Sequence, residues 1–307
     1  MSFDGQVRQF IPGHERELLN TPLGLHVSAM LGLGRDESVS HLFMTEFGPE
    51  DGWSLLMREA IENVADTGVF DSGRFLDLGI GDGRNVRKAA HLSIARGVRN
   101  IQMVGVDKDG WKLALSYRNF TSDSLLKKYV GQHDNLHLYE ADAVDYILRN
   151  GKGYSGTAFI CLPQSEGSNG EGTTSDIDRP WPSHQDFDRE WAQYAFRLNA
   201  AVLTRLRQTC GADTKALLTL SGRIPSQIRD KLINRSGWNN LAIVAQGRVW
   251  QDFDTPISWM RGRADLNQGD QFFDQYNNPI ETDEAVEKHI NGEPIQHDVF
   301  IYLLKPR

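Results

Sequence analysis

The stretch Leu76-Asp77-Leu78-Gly79-Ile80-Gly81-Asp82-Gly83 decides the fold, because a strand, a glycine loop and a helix meet in it. Arg74–Leu78 has the pattern of a short buried strand, 79–83 that of a tight loop, and 85–95 that of a helix that ends before Gly97. Glycines let a backbone approach a ligand closely, and the first turn of a helix offers unpaired amide donors. This order predicts a ligand-binding loop in an α/β fold.

Strands and helices alternate around this loop. Further strands are predicted over 101–106, 136–139, 157–162, 215–220, 242–250 and 299–304. Helices are predicted over 53–64, 111–120, 189–208 and 226–235. Such alternation predicts a Rossmann-like α/β fold, with a mainly parallel, seven-stranded sheet covered by helices on both faces.

Two regions fall outside this alternation. Residues 1–70 show no strand-like pattern and are predicted to form a helical cap in front of a main domain over 71–307. Residues 165–188 are rich in Gly and Ser, and we expect a mobile loop that either closes over bound ligands or is a surface insertion without a role. The pattern leaves open whether the first 45 residues cover a ligand or form a homodimer contact.

The composition is typical of a soluble globular protein, with 307 residues of which 39% are hydrophobic and 24% charged. A net charge of −8 argues against nucleic acid or an anionic membrane as a partner. No apolar run approaches the length of about 18 residues that a transmembrane helix needs, and we see no signal peptide. The two cysteines and nine histidines show no metal or disulfide spacing, so we expect a cytoplasmic protein without a metal.

Charged residues around the glycine loop favour S-adenosylmethionine (SAM) over a dinucleotide. Arg84 stands where the dinucleotide fingerprint has its third glycine. Asp77, two residues before the first glycine, could bind the ammonium group of SAM and would repel a pyrophosphate. Asp107 ends the second strand, where a carboxylate can accept from both ribose hydroxyls; the alternative is a helix N-cap. Three glycines complete the predicted cofactor loop: Gly79, Gly81 and Gly83.

The segment Glu140-Ala141-Asp142-Ala143 follows the third strand, where the adenine lies in this architecture. Asp142 could accept from the adenine amino group, and a solvated turn residue is the alternative. The loop, Asp107 and this segment together resemble the ordered motifs of class I SAM-dependent methyltransferases. The resemblance implies SAM as the cofactor, S-adenosyl-L-homocysteine as its product, and no metal.

A loop motif, Cys161-Leu162-Pro163-Gln164, stands at the end of the fourth strand. Methyltransferases that act on amide or exocyclic nitrogens carry Asn or Asp, two prolines and an aromatic residue there, so methylation of a planar nitrogen is disfavoured. Pro163 is counted with the cofactor residues because it shapes the loop, without a chemical role. Gln164 is predicted to bond either ligand.

Several further segments, by their spacing, resemble methionine S-methyltransferases, namely the amino-terminal domain of the plant enzyme and the free-standing bacterial enzymes of dimethylsulfoniopropionate synthesis. The segments are Pro49-Glu50-Asp51-Gly52-Trp53-Ser54, Leu162-Pro163-Gln164, Gly222-Arg223-Ile224-Pro225, Val249-Trp250-Gln251 and Asp254-Thr255-Pro256-Ile257-Ser258. The resemblance implies methyl transfer from SAM to the sulfur of L-methionine, giving S-methylmethionine. The chain departs from the pattern at Gly52, which is inserted, at Pro256, and in the Gly/Ser-rich loop after Gln164.

A site for this substrate must clamp a free amino acid, but it needs no general base, because a thioether has no proton to lose. Arg223 follows the carboxyl end of a strand and is predicted to bind the carboxylate, with Asp254 and Thr255 taking the ammonium group. Trp53 and Trp250 are predicted to face the sulfonium. The alternatives are a surface arginine, a turn-forming aspartate and two packing tryptophans.

Two other functions compete with this prediction. The first is methylation of another small thiol, amine or carboxylate, and the second is a non-catalytic SAM-binding module that regulates a partner. The glycine loop together with the substrate-side segments favours an enzyme.

Overall fold

The computed structural model describes residues 8–9, 52–130, 135–162, 164, 191, 193–252, 255–263, 265–266 and 271–307. The chain divides into two compact units. The first takes Met1–Glu50, Ala65–Tyr146 and Gly156–Phe159, and the second takes Asp51–Val64, Ile147–Ser155 and Ile160–Arg307. The predicted boundary near residue 70 stays a prediction, because 1–7 and 10–51 lie outside the described residues, as does the predicted loop over 165–188.

Strands and helices alternate through the described part of the chain, which makes the fold α/β. Its ten strands are β1 Arg8–Gln9, β2 Arg74–Leu78, β3 Gln102–Asp107, β4 Leu136–Glu140, β5 Thr157–Ile160, β6 Lys215–Ser221, β7 Trp238–Trp250, β8 Phe272–Phe273, β9 Pro279–Ile280 and β10 Gln296–Pro306. The α-helices with both ends in the described residues are α1 Gly52–Val64, α2 Arg84–Ala95, α3 Gly110–Ser122, α4 Lys127–Val130, α5 Ala143–Asn150, α6 Arg197–Thr209, α7 Ser226–Arg235 and α8 Thr282–Ile290.

The seven predicted strands are confirmed, but the predicted count of seven is wrong, since the described residues form ten. The three additional strands, β1, β8 and β9, have two residues each, too few to show a period in the sequence. The single helix predicted over 189–208 is interrupted, because Trp191 is helical but residues 193–195 form a turn. Ala195 adopts a left-handed φ of 57° and helix α6 begins at Arg197, while 189, 190 and 192 lie outside the described residues.

The first unit contains the central parallel strands of the fold. Its strand order is β1-β4-β3-β2-β5, with β2, β3 and β4 parallel and β1 antiparallel to β4. The chain runs outward from β2 through β3 to β4 and then returns to the other side of β2 at β5. In a Rossmann-like sheet this reversal marks the crevice beyond the carboxyl ends of the strands where ligands bind. The glycine loop that follows β2 lies at this reversal.

The second unit is built around β10, which lies between β6 and β7 and is antiparallel to both. The helix α1 packs against β7, and the buried Trp238 donates from Nε1 to the carbonyl of Leu203 at 2.9 Å. Arg229 stacks its guanidinium on the Phe300 ring at 3.8 Å. The pairing of Val299 with Ser221 brings β10 to the carboxyl end of β6, and Arg223 follows two residues later.

Candidate functional site

The glycine loop turns sharply at the end of β2. Gly79, Gly81 and Gly83 all have positive φ, of 90°, 55° and 82°, a conformation that other residues adopt only at a cost. The amides of Gly79 and Ile80 both donate to the carbonyl of Val106, at 2.8 and 3.0 Å, so that the loop is fastened to β3.

The three glycines of the loop differ in what surrounds them. Among the described residues, a methyl group on Gly81 would meet nothing within 4 Å, whereas one on Gly83 would lie 2.8 Å from the Phe120 ring. Ser116 and Asn119, both on α3, donate to the carbonyls of Gly81 and Asp82 at 2.7 and 2.9 Å. The loop is therefore held rigidly from one side and has open space at Gly81, as a site for close approach of a ligand requires.

Asp107 connects this loop to the end of β3. Its Oδ2 accepts from the Gly81 amide and its Oδ1 from the Asp109 amide, both at 3.0 Å. Burial raises the pKa of Asp107, opposed by the charge of Lys112 and by these two amide bonds. The cap of α3 is Asp109, which accepts from Trp111, so Asp107 does not cap the helix. Each carboxylate oxygen keeps a lone pair for a further donor such as a ribose hydroxyl.

Asp77 is a fully buried carboxyl group in β2. Neither of its oxygens has a hydrogen-bond partner among the described residues. Burial, then the charges of Asp107 and Asp82, raise its pKa well above the usual value. The Asn85 side-chain amide lies close enough to oppose this rise by partial hydrogen bonding, although it does not reach full hydrogen-bond geometry with either oxygen. Buried polar groups are almost always paired, so an unpaired one points to a missing ligand.

Asp82 places a second acid at the start of α2. Its carboxylate pairs with the Arg84 guanidinium through Nε at 3.0 and 2.9 Å and through Nη2 at 2.5 Å. Arg84 is the first residue of α2, and its amide donates to Asp82 Oδ1 at 3.1 Å, while the N-cap residue Gly83 has no side chain to cap the helix. A dinucleotide would place its pyrophosphate at such a helix start, where the Asp82 carboxylate would repel it.

Asp142 is buried at the start of α5. Its Oδ1 accepts from the amides of Val144 and Asp145 at 2.8 and 3.3 Å, and its Oδ2 lies 3.2 Å from Nζ of Lys108. Asp142 therefore caps a helix and forms an ion pair, so a solvated turn residue is the wrong description. The predicted adenine contact stays a prediction.

Arg223 forms the centre of a second cluster, in the second unit. It is buried, and its Nε donates to Ser221 Oγ at 2.9 Å, its Nη1 to Gln251 Oε1 at 3.3 Å and its Nη2 to the Gln164 carbonyl at 3.0 Å. Burial lowers its pKa to about 10. All of these described partners are neutral, so the positive charge lacks an anion among them.

Gln164 joins the end of the fourth-strand motif to β6. Its Nε2 donates to the carbonyl of Thr219 and its Oε1 accepts from the amide of Ser221, both at 2.8 Å. The side-chain amide thus replaces a rung of backbone hydrogen bonding, and its backbone carbonyl supports Arg223. Its predicted bond to a ligand stays a prediction.

His297 on β10 lies behind this cluster. Its Nδ1 is 2.9 Å from the carbonyl of Asp298 and 3.3 Å from Ser221 Oγ, and its ring meets the half-buried Trp53 edge to face at 5.7 Å. Burial and the charge of Arg223 lower the pKa of His297 to about 3. The ring is therefore neutral, with its proton on Nδ1, because a carbonyl only accepts.

The structure brings together some predicted residues and not others. In the first unit, Asp77, Asp107 and the loop glycines share one site. In the second unit, Arg223 and Gln164 are in contact. The backbone carbonyl of Thr255 accepts from Gln251 Nε2 at 3.0 Å. Trp250 is 55% exposed. Pro163 and Asp254 lie outside the described residues.

Sequence reasoning missed Ser221, Gln251 and His297 as members of the Arg223 cluster. Ser221 stands two residues before Arg223 at the same strand end, which is a signal that could have found it. His297 has no such signal, because it reaches the cluster from β10.

The described residues contain no group of three or more His, Cys, Asp or Glu side chains that could hold a metal ion. The helices in the same part of the chain are too short or too polar to cross a bilayer.

Comparisons with known proteins give distant structural likenesses. No protein-family model matches the chain, and no curated protein does. A Pyrococcus horikoshii protein, described provisionally as an RNA methyltransferase, is similar at 10% identity and a TM-score of 0.45, over 89% of this chain and 99% of its own. Precorrin-6y C5,15-methyltransferase from Geobacter metallireducens is similar at 12% identity and a TM-score of 0.40, over 84% and 95%.

A third solved structure, mitomycin 7-O-methyltransferase, is similar at 10% identity and a TM-score of 0.38, over 83% of this chain and 55% of its own. Likenesses at these identities and scores are too distant to carry an argument about activity.

Proposed function

We propose that the chain is a SAM-dependent methyltransferase that binds SAM at the glycine loop of the first unit. The observation that carries the proposal is Asp77, a fully buried carboxyl group whose two oxygens have no partner among the described residues, beside a left-handed glycine loop. An ammonium group supplies the opposite charge and the donors that this carboxyl group lacks.

The residues present fit SAM better than they fit a dinucleotide. Asp77 would hold the ammonium group, Asp107 would accept from the ribose hydroxyls, and the space at Gly81 would admit the ligand. A pyrophosphate in the same place would meet the charge of Asp82 and would supply no positive charge to the buried Asp77. Bound SAM supplies an electrophilic methyl group on a positively charged sulfur.

The substrate that we propose is L-methionine, whose thioether sulfur would become a sulfonium in S-methylmethionine, the first step of dimethylsulfoniopropionate synthesis. Arg223 supports this proposal, since it is a buried guanidinium with neutral partners among the described residues and can bind a carboxylate in a bidentate manner. Asp254 and Thr255 are proposed to hold the ammonium group of methionine.

The proposed reaction does not require the protein to transfer a proton. The sulfur lone pair forms the new bond to the methyl carbon as the old carbon–sulfur bond breaks, and the positive charge passes to the methionine sulfur, so no base is needed. The protein must hold the two reacting atoms close and in line. The aromatic faces of Trp53 and Trp250 are proposed to stabilise the sulfonium.

Mass spectrometry after incubation with SAM and a panel of amino acids, thiols and amines tests this proposal. We expect a sulfonium cation that carries one more methyl group than methionine, with no hydrogen lost from the sulfur, together with S-adenosyl-L-homocysteine in equal amount. Methylation of a different panel member would keep the enzyme class and refute methionine. Binding of SAM by calorimetry with no product from any panel member would favour a non-catalytic module.

A further inference from the structure

The glycine loop of the first unit gathers three carboxyl groups around one ligand position. Asp77 comes from β2, Asp82 from the loop itself, and Asp107 from the end of β3. Asp82 is paired with Arg84, and Asp107 is held by two backbone amides. Asp77 differs from both, because the described residues offer its oxygens no hydrogen bond.

The groups that face Asp77 from the surrounding elements are mostly negative or neutral. Asp107 and Asp82 face it from β3 and the loop, and the Asn85 side chain faces it from α2. The cations Lys112 and Arg84 act on Asp107 and Asp82. A buried carboxylate under two like charges is costly to ionise, which agrees in direction with the raised pKa of Asp77.

We propose that Asp77 carries a proton while the loop is empty and releases it to solvent when the ammonium group of an adenosine ligand binds. The inference rests on the proposed function. It makes Asp77 a specificity-determining residue, because its ionised form is favourable only beside a cation. The loop then selects nucleosides that carry a protonated amine over those without one.

The direction of the pH dependence follows from linkage. The empty protein holds the proton up to the raised pKa of Asp77, while the bound ammonium group lowers that pKa. Between the two values each binding event releases up to one proton, so the affinity rises with pH by up to tenfold per pH unit. Above the pKa of Asp77 in the empty protein, both the release and this rise end.

Calorimetric titration of the full chain with S-adenosyl-L-homocysteine measures this release directly. The titration is repeated at each pH from 5 to 8 in two buffers of different ionisation enthalpy, and the difference in observed heat gives the number of protons released. We expect release of a fraction of a proton or more in part of this range. If the ligand binds but no protons are released at any pH in this range, the inference is overturned and the proposed function remains intact. If the ligand does not bind, both fail.

5′-Methylthioadenosine is the matched control ligand, because it has the nucleoside but lacks the amino-acid part that carries the ammonium group. It should bind without the release, and an equal release on its binding would assign the proton to another group, such as Asp107. Asp77→Asn should abolish the release and flatten the pH dependence of affinity. Asp82→Asn should keep the release but move it to lower pH, because one charge that opposes ionisation of Asp77 is gone.

Discussion

Substitutions of Asp107 and Asp123 can be compared to separate an effect on ligand binding from an effect on protein stability. Both aspartates accept two backbone amides, from Gly81 and Asp109 in one case and from Leu125 and Leu126 in the other. The pKa of Asp107 is raised, with burial as the largest cause. Burial also raises the pKa of Asp123, but its amide bonds and its basic partners outweigh burial and lower it overall.

We predict that Asp107→Asn weakens binding of S-adenosyl-L-homocysteine by about 10- to 150-fold, which corresponds to the roughly 1.5–3 kcal/mol of a hydrogen bond to a charged group. An amide has one accepting oxygen, so it cannot serve both ribose hydroxyls and both backbone amides. The free energy of unfolding should change by less than about 1 kcal/mol, because loss of one amide bond is offset by removal of a charge that burial disfavours.

Asp123→Asn is the control. Its carboxylate also accepts from Arg87 Nε at 2.6 Å and lies 2.8 Å from His91 Nε2, so its loss should lower the free energy of unfolding by about 1.5–3 kcal/mol. Urea unfolding measures stability and calorimetric titration measures affinity. The reasoning is refuted if Asp107→Asn destabilises the protein as much as Asp123→Asn does while its ligand affinity equals that of the unchanged protein.

Three further predictions follow from the geometry. Gly81→Val should lower SAM affinity at least about tenfold. Gly105→Ala should instead mainly lower the free energy of unfolding, by about 1–3 kcal/mol, because its methyl group would overlap Ile80. Thermal melts and ligand titrations of both variants measure this, and a loss of affinity in Gly105→Ala with a loss of stability alone in Gly81→Val would contradict it. Arg223→Ala should raise the KM for methionine about tenfold or more with SAM affinity nearly unchanged, and a selective loss of SAM binding instead would move Arg223 to the cofactor side. His297 is neutral in the folded protein but protonates near pH 6.5 in the unfolded chain, so the free energy of unfolding should decrease as the pH is lowered from about 6.5 toward about 3. The urea midpoints at pH 7 and pH 4.5 should differ less in His297→Asn than in the unchanged protein. An equal difference in the two proteins would contradict this.

Local pattern made the elements of the fold predictable. The strand Arg74–Leu78 and the helix Ser226–Arg235 have the predicted bounds, because each is a short segment with its own periodicity and its own stop signal. The two-residue strands are too short to show a period. The left-handed conformation of Ala195 could not be predicted, because alanine is a residue type that favours helices.

The candidate site was predictable only in part, for a related reason. The residues of the glycine loop are consecutive and end a strand, so their chemistry shows in the sequence. The burial of Asp77 without a partner, and the bonding of the Gln164 side chain to backbone, depend on what packs around them. Those neighbours are set by tertiary structure, which residue spacing does not show.

The glycine loop is closed by contacts between residues that are fairly near in the chain. Asp107 binds the Gly81 amide 26 positions away, and Asn119 binds the Asp82 carbonyl 37 positions away. Every one of these residues precedes position 120, so a growing chain could assemble the loop before any of the second cluster exists.

The Arg223 cluster depends on contacts between residues that are farther apart in the chain. Gln164 reaches Ser221 across 57 positions and Arg223 across 59, and His297 reaches Ser221 across 76. Contacts between such distant residues form slowly, because the intervening chain must first lose its freedom. A nascent chain would therefore form the glycine loop well before the Arg223 cluster, and a ligand that bound the early loop would also favour the folding of the protein.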